Sequence, residues 1–90
     1  MRTNEQVSFD YGVYLVRHGR SAAAPEYFRR AAALSSGSLY AAAQFALASW
    51  YRQEGELENA RTCLRELELR TTDSGVHTKA RAMLAEMGAN

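Results

Sequence analysis

The chain has 90 residues, 47% hydrophobic and 23% charged, with a formal net charge of +1. That length makes one small domain with a thin core, the composition is globular rather than disordered, and the near-neutral balance points to no polyanion partner. Residues 1–40 hold five arginines against three acids and residues 41–74 hold four against six, so neither half is strongly charged. Cys63 is the only cysteine, so no internal disulfide can form, which suits a reducing compartment. The start, Met1 to Gln6, lacks the apolar stretch of a signal peptide. The run from Leu39 to Tyr51 is broken by Gln44 and Ser49 and is too short to span a bilayer. A cytoplasmic location without a membrane span is expected.

In chain order, Thr3 and Gln6 have the spacing of a capping box for a first helix running to about His18. Phe9, Val13 and Val16 fall on one side of it, Tyr11 and Leu15 on the other. Gly19 ends that helix. Ser21 is placed to cap a second helix with Pro25 in its first turn and Ala24, Phe28 and Ala31 on its inner stripe. The break at Ser35-Ser36-Gly37-Ser38 is the clearest in the chain. Ser38 is placed to cap a third helix through Glu54, Gly55 turns the chain, and a fourth helix runs from about Leu57 to Leu69. Glu56 and Glu58 near its start and Arg70 near its end match the helix dipole. After Thr71 to Gly75, a fifth helix from about Val76 to Met87 precedes Gly88. Five helices and no convincing strand predict an all-α fold.

Overlaying the halves exposes a repeat. Gly19 and Gly55, Phe9 and Phe45, Leu15 and Tyr51, Ala24 and Ala60, Phe28 and Leu64, and Ala31 and Leu67 are all 36 positions apart. A helical hairpin cannot bury its apolar face alone, so two hairpins stacked on each other are the economical reading.

These residues resemble the tetratricopeptide repeat family. Tyr11, Gly12, Leu15, Gly19, Ala24, Phe28 and Ala31 match its pattern in the first unit, and Leu47, Ala48, Tyr51, Gly55, Ala60 and Leu64 match in the second. Departures are Ser8 and Gln44 where tryptophan is usual, Leu67 for alanine, Ser36 and Thr72 for a closing proline, and a spacing of 36 against the family's usual 34. The nearest fold alternative is a Sel1-like relative. The resemblance implies a single domain over 1–90, with antiparallel helix-turn-helix repeats at about 5–38 and 41–74 and a capping helix at about 76–88. These would wind as a right-handed α-α superhelix.

It also implies a protein-interaction module whose concave groove is lined by first-helix residues. Mapped onto this chain, these are Gln6, Phe9, Val13 and Val16, then Ala42, Phe45, Ser49 and Arg52. The expected partner-binding residues are Phe9, Val13, Val16, Phe45, Ser49 and Arg52. Their mostly apolar character predicts an amphipathic helix or extended segment as partner, or a second copy of the chain. By resemblance, small helical-repeat chaperones such as those of bacterial type III secretion work in this way, and an adaptor role is equally implied. No residue is catalytic in this reading, and no cofactor is expected.

Two other classes compete. Val13 to Gly19, ending Arg17-His18-Gly19, resembles the signature of the histidine phosphatase family, which implies phosphoryl transfer with His18 as nucleophile, Arg17 as phosphate ligand and a strand before them. That family needs a second catalytic histidine and an α/β chain, and only His77 remains, so the enzyme reading is the lesser one. The other class is a self-associating structural repeat. His18, Cys63 and His77 share no metal-ligand spacing, and Cys63 reads as core. Arg17, Arg20, Arg29 and Arg30 read as solvated surface rather than a nucleic-acid site.

Overall fold

The structure, a computed structural model, describes residues 3–88. Met1 and Arg2, read above for a leader, lie outside them. Among the described residues there are five α-helices and no strand: α1 (Asn4–Arg17), α2 (Ala24–Leu34), α3 (Gly37–Gln53), α4 (Leu57–Arg70) and α5 (Ser74–Glu86). None is long and apolar enough to cross a membrane. The chain divides into two compact units, Met1–Ala43 and Gln44–Asn90, with the boundary inside α3.

In the first unit, Thr3 caps α1 as its sequence predicts, its hydroxyl accepting from the Gln6 amide at 3.3 Å. The helix packs along α2. Gly12 and Leu15 are buried on α1, and Ala24, Phe28, Ala31 and Ala32 on α2. Phe28 lies across the bare Gly12 backbone, so that a Cβ there would stand 2.7 Å from the ring. Tyr11, matched to the repeat pattern in the sequence, is 43% exposed. Four positions beyond Val7 on α1, it stacks on Tyr14 and meets the edge of Tyr27 on α2.

Two helix starts differ from expectation. Ser21 caps nothing, because Ser21–Ala23 forms a 3₁₀ turn and α2 begins at Ala24 with Pro25 in its first turn. Ser38 lies inside α3, which begins one residue earlier.

In the second unit, Leu47, Ala48 and Tyr51 of α3 and Ala60, Leu64 and Leu67 of α4 are all buried. Cys63, expected as core, is half-buried. Gln44, 4% exposed, donates from Nε2 to the Cys63 carbonyl at 3.5 Å. Between α4 and α5, the His77 ring Nε2 lies 2.7 Å from the Thr71 carbonyl, and Arg81 pairs with Glu68 at 3.2 Å. Asp73 caps α5, its Oδ1 accepting from the Val76 amide at 3.1 Å. Asp73→Ala is expected to cost about 1 kcal/mol, read as a lower urea midpoint with unchanged slope.

The turns after α1 and α3 share one geometry. Gly19 and Gly55 take φ of +74° and +79°, a left-handed conformation that side chains resist. In the first turn Gly19 donates to Val16 and Arg20 to Leu15, and in the second Gly55 donates to Arg52 and Glu56 to Tyr51. This pairing satisfies the last carbonyls of each helix in a Schellman arrangement.

Candidate functional site

The six residues expected to contact a partner meet different fates. On α3, Phe45 and Arg52 are engaged by α5. The Lys79 ammonium sits 4.5 Å from the Phe45 ring centroid, a cation–π contact, and Arg52 pairs with Glu86 at 3.6 Å. Each pair is separated by 34 positions, so α5 runs parallel to α3 along the face that carries Phe45 and Arg52. The fifth helix, expected as a cap, thus contacts two positions assigned to a partner, of which Arg52 stays exposed. Ser49, between them, is half-buried.

On α1, Phe9 is half-buried, its ring 5.7 Å from that of Phe28, Val13 is half-buried and Val16 is 41% exposed. A shallow concavity of about 470 Å³ runs along this side of the helix, lined by Phe9, Asp10, Val13, Tyr14, Arg17 and His18.

A second set of rings on α1 went unassigned in the sequence. Tyr11 stacks on Tyr14 at 5.9 Å between centroids, Tyr14 stacks on His18 at 4.0 Å, and Tyr27 meets Tyr11 edge-on at 4.7 Å. The Arg30 guanidinium lies 5.2 Å from the Tyr27 ring centre. The signal was present as the spacing of Val7, Tyr11, Tyr14 and His18, which alternates steps of four and three along one helix stripe.

Arg17 and His18 close a helix rather than a strand, and the His18 ring Nδ1 lies 2.9 Å from the Tyr14 carbonyl one turn back. The strand that a phosphatase signature implies is therefore absent from Val13 to Arg17. No group of three or more His, Cys, Asp or Glu side chains among the described residues is placed to hold a metal.

No known protein family matches the chain, and comparison with curated proteins and with solved structures gives no significant match.

Proposed function

We propose that this chain is a protein-interaction module, in which the Phe9, Val13 and Val16 side of α1 receives an apolar helix or extended segment of a partner. The observation that carries the reading is the shallow concavity beside Phe9 and Val13, together with the exposure of Val16 on the same helix stripe, 41%. A helix that is apolar around most of its circumference normally buries more than one face. α1 presents Gly12 and Leu15 to the interior and still carries Phe9, Val13 and Val16 on another side. A partner side chain inserted there would remove apolar surface from water at about 25 cal/mol per Å².

A tetratricopeptide-like helical repeat is the architecture we favour for this module. Two Schellman turns 36 positions apart and the 34-position offset between α3 and α5 support it, because repeated hairpins reuse both turn and register. In this reading α5 occupies the place of a third first-helix. A small chaperone or adaptor acting in the cytoplasm, where a lone cysteine stays reduced, is the biological role that fits.

Selection from a displayed random-peptide library against the intact protein tests the proposal. Amphipathic or apolar-anchored peptides are expected to enrich, and Val16→Glu is expected to weaken the best of them at least tenfold, roughly 1.4 kcal/mol, while helix content by circular dichroism stays unchanged. Peptides that bind Val16→Glu as tightly as the wild type would show that this side of α1 does not receive the partner.

A further inference from the structure

A different face of α1 is also uncovered. Val7, Tyr11 and Tyr14 are 52%, 43% and 49% exposed, and His18 continues the stripe, exposed at the helix end. Steps of four, three and four residues are the spacing of a coiled-coil seam. The rings are already assembled by their mutual stacking, which lowers the side-chain entropy lost on docking. A depression of about 350 Å³ lies among Val7, Asp10, Tyr11 and Tyr14.

We propose that this face is a self-association surface on which a second copy of the chain lays its own α1 antiparallel, about a two-fold axis between Tyr11 and Tyr14. The stripe is complementary to itself in that orientation. Tyr11 of each copy falls against Tyr14 of the other, and Val7 against His18, as a two-fold interface requires.

Charge selects the orientation. Asp10 and Arg17 lie on the same flank of the seam, seven residues apart. Antiparallel helices bring like flanks together, so Asp10 of each copy faces Arg17 of the other, twice per dimer. Parallel helices would instead set that flank against the opposite one, where Leu15 is buried and the α2 side chains beside Tyr11 are Tyr27 and, over its ring, Arg30, which already pairs with Glu26. Asp10 is steadied from within its own helix by Gln6, whose Nε2 donates to it at 3.1 Å. Antiparallel helices also oppose their dipoles favourably.

Two heptads make a small contact, so the dimer is weak and concentration-dependent. Asp10, Tyr14, Arg17 and His18 also line the concavity beside Phe9 and Val13, so a second copy and a partner segment exclude each other there, and the oligomeric state read without peptide tests this surface alone.

Sedimentation of the full chain at low ionic strength, from about 10 μM to about 1 mM, is expected to show a reversible passage from monomer to dimer. Asp10→Arg and Arg17→Asp each set like charges in both pairs, and each is expected to weaken the dimer at least about tenfold. Mixing the two variants places opposite charges in both pairs again and is expected to restore association to within about threefold of the wild type. A measurement that needs no variant is an isotope-filtered NOE in a mixed labelled sample between Val7 methyls and the His18 ring, which lie about 16 Å apart along one helix. A chain monomeric throughout, single variants that associate as well as the wild type, a mixture that does not recover, or a dimer lacking that NOE would each overturn the proposal.

Discussion

Truncating Leu64 to alanine is expected to remove about 2–5 kcal/mol of folding stability, read from urea or thermal unfolding. Leu64 is 0% exposed and sits one turn beyond Ala60 and one turn before Leu67 on the inner stripe of α4. Removing its branched end takes away buried methyl groups and leaves a void that helices held by their own backbone bonds cannot collapse to fill. A 90-residue chain has a total stability of only about 5–10 kcal/mol, so a loss of this size brings the variant near its unfolding midpoint. A change below about 1 kcal/mol would mean that α4 does not pack as described.

Gly12→Ala is the second large effect, and its sign is the informative part. On an open helix surface the change is stabilising by about 1 kcal/mol, because alanine restricts the unfolded chain and favours the helix. Here the new Cβ would meet Phe28 Cε1 at 2.7 Å, Cδ1 at 2.9 Å and Cζ at 3.1 Å. Phe28 is 2% exposed and its ring also faces Phe9, so it cannot swing away without disturbing the rest of the first unit. Overpacking of this kind costs about 1–3 kcal/mol. A net destabilisation is expected, with partial relief when Phe28→Leu is combined with it. A net stabilisation would show that α1 and α2 do not approach at Gly12.

Much of this fold is legible in the sequence because the signals are local. Gly19 and Gly55 mark turns that demand a left-handed residue, Thr3 and the acidic pair at Glu56 and Glu58 mark helix starts, and the buried stripes at Ala60, Leu64 and Leu67 follow from helical spacing alone. Ser21 and Ser38 misled because a hydroxyl before a helix caps only if the backbone there is extended. At Ser21 a 3₁₀ turn intervenes, and at Ser38 the helix has already begun at Gly37. Asp73 caps α5 from a position within what read as an unstructured break.

The candidate site was less legible, and the reason is tertiary. Periodicity places Phe45 and Arg52 on one face of α3, but it does not say which helix approaches that face. The side chains that meet them, Lys79 and Glu86, lie 34 positions away, too far for a local pattern to reveal. The stripe of Val7, Tyr11, Tyr14 and His18 was available to a heptad search. It passed unnoticed because the apolar positions of α1 fit several registers at once.

In the proposed reading α1, rather than the α3 face that α5 approaches, meets the partner. Backbone amide chemical-shift mapping with a selected peptide tests it most directly, recorded on the full uniformly labelled chain. The largest shifts are expected at Phe9, Val13 and Val16, with the amides of Phe45 and Arg52 moving little. Shifts centred on Phe45, Ser49 and Arg52, with release of the Lys79 and Glu86 contacts, would contradict it.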